Sequence, residues 1–197
     1  MKDFKKLRLG VALCGSFCTF SKAVDLIKTL VGYGIDITPI MSFNAYETST
    51  RFGKATDFIA EIEALTGHTM LHTLKDVEPL GPKNLIDALL IAPCTGNTLA
   101  KLSLAITDTP VLLAAKSLLR NGKPIIIALA TNDGLGINLK NIGTLMAAQN
   151  IYFVPLGQDD FVHKPCSLVA DLNKVPETLS LALEHQQLQP VLITYSV

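Results

Sequence analysis

One stretch of the chain indicates both a fold and a site: Leu90-Ile91-Ala92-Pro93-Cys94-Thr95-Gly96-Asn97-Thr98-Leu99-Ala100-Lys101. Its apolar first part predicts a buried strand, and its small hydrogen-bonding residues predict a turn into a helix. Unpaired amide groups and the positive end of the helix dipole at such a helix start favour a phosphate or a carboxylate. The structural alternative is that Thr95 or Asn97 only caps the helix, as these residue types often do.

A second segment has the same order of an apolar strand, a turn of small residues and a helix. Residues 9–13 are apolar and lead through Gly15-Ser16 into a stretch with helical spacing of apolar residues. The chain lacks the further glycines of a G-x-G-x-x-G fingerprint here, and no Walker-type glycine loop precedes Lys22. Gly15 and Ser16 are therefore predicted to hold one phosphate, which favours a mononucleotide over a dinucleotide.

Strand and helix patterns alternate along the chain. The predicted strands cover residues 7–13, 35–41, 88–92, 124–130 and 151–154. The predicted helices cover residues 21–32, 53–65, 97–105, 110–120, 138–149 and 175–187. Residues 68–84 are predicted as an irregular connection with room for a short strand.

Apolar strands separated by helices are typical of a sheet that is buried on both faces and parallel. The sequence therefore predicts a doubly wound, three-layer, Rossmann-like α/β fold, in one domain over residues 1–197. Ligands of such sheets bind outside the carboxyl ends of the strands, near the point where the strand order reverses. Gly15, Ser42, Thr95 and Thr131 would all emerge at that edge.

Composition excludes several classes of function. The chain has 49% hydrophobic residues, 17% charged residues and a formal net charge of zero, so it lacks the basic footprint of a nucleic-acid-binding protein. The apolar runs 85–92 and 124–130 are far shorter than the roughly 20 residues of a membrane span. Gly10, Cys14 and Ser16 interrupt the apolar part of the N-terminus, which is unlike a signal peptide. We expect a cytoplasmic protein without membrane or nucleic-acid partners.

No metal site is predicted. The cysteines, Cys14, Cys18, Cys94 and Cys166, show no C-x-x-C spacing, and the four histidines have no matching ligands nearby in the sequence. Cys14 and Cys94 are interpreted as small residues that fill crowded positions beside the ligand loops, since free cysteine is among the most buried residue types.

Arg51 and two acidic motifs leave alternatives open. Arg51 is suited to pair with a phosphate or a substrate carboxylate, and equally to be a surface residue near a helix start. Asp133 and Asp159-Asp160 are acidic residues in glycine-containing motifs. Carboxylates of this kind can do acid–base work, but a turn is favoured for both.

Three motifs resemble the flavin-binding signatures of a flavoprotein family that includes peptidyl-cysteine decarboxylases, phosphopantothenoylcysteine decarboxylases and flavin prenyltransferases. They are Gly15-Ser16, Ser42-Phe43-Asn44 and the run from Ala92 to Thr98, where the family has Pro-Ala-Ser-Ala-Asn-Thr at Pro93 to Thr98. The resemblance implies FMN as the cofactor. Together with the residue chemistry above, this gives the predicted cofactor-binding residues: Gly15, Ser16, Cys18, Ser42, Asn44, Arg51, Pro93, Thr95, Asn97, Thr98, Thr131 and Asn132.

Within that superfamily the chain most resembles the B subunits of bacterial dipicolinate synthases, over essentially its whole length. Residues 92–101, 130–136 and 150–160 carry this resemblance. It implies oxidation of a dihydropyridine dicarboxylate to dipicolinate during sporulation, with a flavin relaying hydride. It also implies a partner, the A subunit of dipicolinate synthase, that brings NAD(P), a small dicarboxylate substrate, and a homo-oligomer of this chain.

The chain departs from the decarboxylases at two positions. Pro79, with Glu78 beside it, stands where they have a catalytic histidine, and Ala130-Thr131-Asn132-Asp133 replaces their Pro-Ala-Met-Asn motif. A decarboxylase mechanism is therefore disfavoured, and the catalytic residues stay unassigned. The alternatives left open are a stand-alone FMN-dependent decarboxylase or prenyltransferase, and a non-catalytic protein that binds a ligand to stabilise its partner.

Overall fold

The computed structural model describes residues 4–193, and across them seven strands form one sheet. The strands are β1 (Arg8–Leu13), β2 (Asp36–Met41), β3 (Ala88–Cys94), β4 (Ile125–Thr131), β5 (Ile151–Phe153), β6 (Leu156–Gly157) and β7 (Leu168–Ala170). The parallel part has the order β2-β1-β3-β4-β5. Strand β7 pairs antiparallel with the carboxyl end of β4, and β6 pairs antiparallel with β7.

Helices cover both faces of this sheet. They are α1 (Phe20–Gly32), α2 (Phe43–Glu47), α3 (Ala55–Thr66), α4 (Leu74–Val77), α5 (Gly96–Ser103), α6 (Pro110–Arg120), α7 (Leu139–Met146) and α8 (Val175–Ala182). Helix α1 packs on α3 and on the short 3-10 turn Leu172–Lys174, which also contacts α8, so these elements form one layer. Helix α6 contacts α4 and α5, and α5 contacts α7, which makes the other layer. The fold is therefore three-layered.

The middle strands lie between these layers. All seven residues of β3 and six of the seven residues of β4 are buried. Because both faces of these strands are covered, their sequences read as unbroken apolar runs rather than alternating ones. Buried apolar residues from Phe4 to Ala182 form one connected cluster, which holds the strand ends in fixed positions.

The structure confirms the doubly wound α/β prediction. The predicted bounds of the five parallel strands and of the first four predicted helices differ from the observed ones by no more than about two residues. The last two predicted helices end early, α7 at Met146 and α8 at Ala182. Within the predicted range of the last helix, the chain turns through positive φ at His185, a conformation that an α-helix does not contain.

The structure adds three features to the predicted elements. The sheet is not wholly parallel, because β6 and β7 form an antiparallel addition. Helix α2 was not predicted, and the connection 68–84 contains α4 and a 3-10 turn, Glu78–Leu80. The only trace of a strand that the described chain shows in that connection is an isolated bridge between Ile40 and Leu71.

Within residues 4–193, no helix is both long and apolar enough to cross a membrane. One domain over residues 1–197 stays a prediction, and its parts at residues 1–3 and 194–197 lie outside the described residues.

Candidate functional site

The strand order reverses between β1 and β3, and the predicted ligand loops meet there. The chain leaves β1 for β2 on one side, while β3 leads to β4 on the other. The Cys14 amide donates to the Pro93 carbonyl oxygen at 3.1 Å, and the Ser42 amide donates to the Leu13 carbonyl oxygen at 3.0 Å. These bonds join the carboxyl ends of β1, β2 and β3. In open α/β sheets, ligands bind in the crevice at such a reversal.

A cleft of about 360 Å³ opens at this edge. That volume lies at the lower end of the range for ligand pockets, roughly 300–1,000 Å³. The residues that line it are Gly15, Ser42, Phe43, Asn44, Thr95, Asn97, Thr98, Lys101, Asp108 and Thr109. Six of the residues predicted from the sequence are thus brought together: Gly15, Ser42, Asn44, Thr95, Asn97 and Thr98.

The N-terminus of α5 forms the floor of the cleft. Thr95 is its N-cap, and its hydroxyl oxygen accepts from the Thr98 amide at 3.2 Å. The Leu99 amide donates to the Thr95 carbonyl oxygen at 2.9 Å. Within the described chain, the amides of Gly96 and Asn97 have no acceptor. The capping alternative is confirmed for Thr95, yet two donors and the helix dipole stay available to an anion.

Polar side chains on the opposite wall complement this floor. Ser42 caps α2 and is buried, and its hydroxyl oxygen accepts from the Ala45 amide at 3.3 Å. That contact leaves the hydroxyl hydrogen without an acceptor among residues 4–193. The exposed amides of Asn44 and Asn97 also have no partner there. The cleft therefore offers more donors than the protein itself uses.

A buried hydrogen-bond chain supports the floor from beneath. The Thr95 hydroxyl donates to the Thr98 hydroxyl oxygen at 3.1 Å, and Thr98 donates to the Cys14 sulfur at 3.3 Å. Burial raises the pKa of Cys14 to about 11, and burial followed by the proximity of Cys14 raises the pKa of Cys94. Both thiols are therefore neutral near pH 7. The interpretation of Cys14 and Cys94 as buried packing residues is confirmed.

The charged residues of the cleft were missed by sequence reasoning. The Lys101 ammonium lies 2.6 Å from Oδ2 of Asp108. Thr109 is the N-cap of α6, and its side chain accepts from the Leu112 amide at 3.3 Å. Lys101 is four residues after Asn97 on α5, and residues at this spacing share a helix face. The four-residue spacing from Asn97 is the sequence feature from which Lys101 could have been predicted as a residue of the cleft.

Several predicted residues lie away from the cleft. Arg51 is exposed, with its guanidinium 4.9 Å from the centre of the Phe52 ring, as a surface residue would be. Cys18 is exposed on a 3-10 turn, and the Ser16 carbonyl oxygen accepts from the Thr19 amide and hydroxyl. Pro93 is buried in β3 and lines a different cavity, between α1 and β7. Cofactor binding by Arg51, Cys18, Ser16 and Pro93 stays a prediction.

The segment after β4 forms a polar cluster beside α5. Asn132 is exposed in the turn, and the Thr131 hydroxyl donates to Oδ1 of Asp133. The Asn138 amide donates to Oδ2 of Asp133 at 2.8 Å. A Cβ atom on Gly96 would lie 2.6 Å from Thr131 Oγ1 and 2.8 Å from Asp133 Oδ1, so only glycine fits there without movement. The turn interpretation of Asp133 is confirmed, and its carboxylate lies against the first residue of α5.

The position of the decarboxylase histidine holds no titratable group that faces inward. Pro79 lies in a 3-10 turn that packs on α6, and Glu78 is exposed. In the part of the chain that the structure describes, no three histidine, cysteine or acidic side chains come together as metal ligands do.

The fold defines a flavodoxin-like α/β protein whose cleft lies between β1 and β3, the place where the strand order 2-1-3-4-5 positions ligands. Residues 1–178 match the family described as Flavoprotein, and the chain therefore belongs to that family.

Known relatives and solved structures show which members of this family the chain is similar to. The B subunit of dipicolinate synthase from Bacillus subtilis (strain 168) is 45% identical over 193 residues, which cover 98% of this chain and 96% of that protein. The crystal structure of the dipicolinate synthase B subunit from Bacillus halodurans C has a TM-score of 0.90 at 43% identity, over 98% of this chain and 99% of that one. The FMN-dependent cysteine decarboxylase SpaF has a TM-score of 0.69 at 23% identity, over 92% and 97% of the two chains, and shares the fold.

Proposed function

We propose that this chain acts as the B subunit of a dipicolinate synthase and contributes a flavin-type pocket to the oxidation of dihydrodipicolinate. The observation that carries the proposal is 45% identity across nearly the full length of both chains to a protein of that name. A match of this length includes the cleft and the segment after β4 as well as the core.

The residues of the cleft fit the phosphate of FMN. The free amides of Gly96 and Asn97 lie at the positive end of α5, where they can donate to an anion, and the Ser42 hydroxyl has a hydrogen to donate. Membership of the Flavoprotein family and the FMN dependence of a structural neighbour also favour a flavin. When bound, a flavin supplies hydride transfer, and the role of the protein is to hold and orient it.

A partner chain completes the proposed enzyme. The first strand–helix turn, at Gly15-Ser16, lacks a dinucleotide fingerprint, so we assign the binding of NAD(P) to the A subunit. Decarboxylation is disfavoured, because Pro79 has no proton to transfer.

We also propose a homo-oligomer. Ile137, Phe161 and Val162 have 73%, 66% and 69% of their surface exposed, which is apolar area that an interface would cover. Sedimentation at micromolar concentration tests this proposal, and a single species at the chain mass of 21.2 kDa would contradict it.

The test of the proposed function is reconstitution. The chain is purified alone and with an A-type subunit, its absorbance spectrum is recorded, and binding of FMN and riboflavin is titrated. We expect dipicolinate formation only with both chains, and tighter binding of FMN than of riboflavin, since riboflavin lacks the phosphate. Equal rates with and without this chain would contradict its role in the enzyme. Absence of FMN binding at millimolar concentration would contradict the flavin pocket.

A further inference from the structure

Strand β5 lies at an edge of the parallel sheet, and β4 pairs with only one of its sides. The Val154 amide donates to the Ile127 carbonyl oxygen of β4 at 3.0 Å. In a parallel pair, every second residue of a strand directs its N–H and C=O groups to the neighbouring strand. Ile151 and Phe153 therefore direct these groups away from β4, to the outer edge.

A side chain occupies the outward groups of Phe153 but not those of Ile151. Oε1 of Gln187 accepts from the Phe153 amide at 2.8 Å, and its Nε2 donates to the Phe153 carbonyl oxygen at 2.7 Å. The N–H and C=O groups of Ile151 have no partner among residues 4–193. An added peptide strand would need the outward groups of several residues in succession. This edge instead offers one donor beside one acceptor.

A cavity of about 600 Å³ opens along the same edge, between the end of α7 and the chain that follows α8. Its volume is within the range of ligand pockets. Ile151, Met146, Ala148 and Val191 form apolar parts of its wall, and the other lining residues carry amide, phenol or imidazole groups. In the described part of the chain, no carboxylate, ammonium or guanidinium group lines this cavity. An uncharged ligand is favoured, because a charged one would find no opposite charge there.

Tyr152 supplies a further polar group to this cavity. It is 7% exposed, and its backbone groups face β4, so its side chain is the part that lines the cavity. Its hydroxyl has no partner among residues 4–193, although buried tyrosine hydroxyls usually find one. Every fully enclosed polar side-chain atom of the described chain has a partner. The free hydroxyl therefore opens to the cavity.

We propose that this cavity at the β5 edge binds an uncharged nucleobase. Nucleobases carry an acceptor next to a donor, such as the ring nitrogen beside the 6-amino group of adenine, and this pair complements the N–H and C=O groups of Ile151. Met146 and Val191 offer apolar surface to the ring, and the Tyr152 hydroxyl serves a further polar atom of the ligand. Ile151 begins β5, so the site lies at the amino end of the sheet, apart from the cleft at the carboxyl end.

Titration calorimetry with adenosine, purine riboside and AMP tests the recognition. Adenosine is expected to bind, and purine riboside, which lacks the 6-amino group, is expected to bind about fivefold more weakly for the loss of one hydrogen bond. AMP is expected to bind no more tightly than adenosine, since no cationic group lines the cavity. No binding of adenosine at millimolar concentration, equal binding of purine riboside, or tighter binding of AMP would overturn the inference.

Two neighbouring alanines provide a matched pair of variants that locate the binding. Ala147 and Ala148 are both exposed after α7, and only Ala148 lines the cavity. Ala148→Phe is expected to fill the cavity and abolish adenosine binding, with the unfolding temperature and FMN binding unchanged. Ala147→Phe is expected to keep the wild-type affinity for adenosine. Equal adenosine binding by the two variants would place the ligand elsewhere and overturn the inference.

Tyr152→Phe removes only the hydroxyl and keeps the buried ring. Because that hydroxyl has no partner in the described chain, the variant is expected to unfold at the same or a higher temperature, whereas its affinity for adenosine falls roughly three- to tenfold. Tyr33→Phe is the control, since Tyr33 lines a different cavity beside α1. A lower unfolding temperature of Tyr152→Phe with unchanged adenosine affinity would show a structural hydroxyl and overturn the inference.

Discussion

Polar and charged groups are arranged differently at the two ends of the parallel sheet. At the amino end, the Arg8 guanidinium binds Asp87 through two bonds, Nη2 to Oδ1 at 2.6 Å and Nε to Oδ2 at 3.0 Å. The Arg8 amide adds a third bond to Asp87 at 3.1 Å, and Lys123 donates to the Ile86 carbonyl oxygen and to Asp87 Oδ1. The carboxylate of Asp87 is thus bonded at both oxygens, which ties β1, β3 and β4 together at their starts.

At the carboxyl end, donors stay without acceptors from the chain. Among residues 4–193, there is no hydrogen-bond acceptor for the backbone amides of Gly96 and Asn97 or for the hydroxyl hydrogen of Ser42. Buried or confined donors without partners are costly, so they are retained where a ligand supplies the acceptor. Polar groups at the amino end are thus paired with one another, whereas several at the carboxyl end have no partner in the described chain, as the proposed anion site requires.

The largest expected effect is on stability, from Gly96→Ala at the carboxyl end. The new methyl group would lie 2.6 Å from Asn138 Nδ2 and Thr131 Oγ1, so the polar network must move. We expect a loss of about 1–3 kcal/mol in the free energy of unfolding, as for other overpacked sites, together with weaker FMN binding. Urea unfolding followed by circular dichroism measures the first effect.

Gly143→Ala is the control for this prediction. Gly143 lies within α7, and a Cβ atom there would have nothing within 4 Å. This variant is expected to keep or slightly raise stability, because alanine favours a helix more than glycine does. Equal stability of the two variants would contradict the close contact at Gly96.

The second prediction concerns the amino end, where Asp87→Asn removes charge from the ion-pair cluster. Burial would raise the pKa of Asp87, but the hydrogen bonds and charge of Arg8, with Lys123, outweigh burial and lower it. Its side chain is 33% exposed, so solvent screening limits the expected loss of stability to about 1 kcal/mol at pH 7. FMN binding is expected to stay unchanged.

The sign of the pH dependence follows from that lowered pKa. The charged pair stabilises the fold above the unfolded carboxyl pKa, about 3.9, and this contribution is lost as pH falls through the lower folded pKa. The stability difference between wild type and Asp87→Asn is thus expected to be full at pH 7 and to vanish in strong acid. A difference that grows as pH falls would contradict the assignment.

The third prediction separates ligand binding from folding. Asn97→Ala removes an exposed amide that lines the cleft and has no partner in the described part of the chain. Thermal unfolding is expected to match the wild type, whereas FMN affinity falls by about fivefold, equivalent to roughly 1 kcal/mol for one hydrogen bond. Unchanged affinity would remove Asn97 from the site.

The smallest expected effect comes from Lys101→Met. Asp108 already occupies one of the three donors of the ammonium group, and the pair is partly solvated, so we expect a two- to threefold loss in FMN affinity. The loss should shrink at high salt and should be absent for riboflavin. An equal loss for both flavins would indicate a change in the shape of the cleft rather than lost charge.

How well each residue of the candidate site could be predicted depended on the kind of sequence feature that indicated it. Thr95, Asn97 and Thr98 followed from local sequence, because a strand that ends in small polar residues before a helix has few other structures to adopt. For Arg51 the sequence leaves anion pairing and a surface position equally open, and the structure places it on the surface beside Phe52. Lys101 was overlooked, although it shares a face of α5 with Asn97.

The sequence by itself determined the strand–helix alternation, the buried middle strands and the polar start of α5, since these depend on patterns within about ten residues. Only the tertiary structure decided that β7 pairs with β4 and that Asp133 lies against Gly96, some 37 positions earlier. Contacts between such distant residues depend on how strands and layers pack. Local propensity contains no information about that packing, and the two-residue β6 is too short to have a pattern of its own.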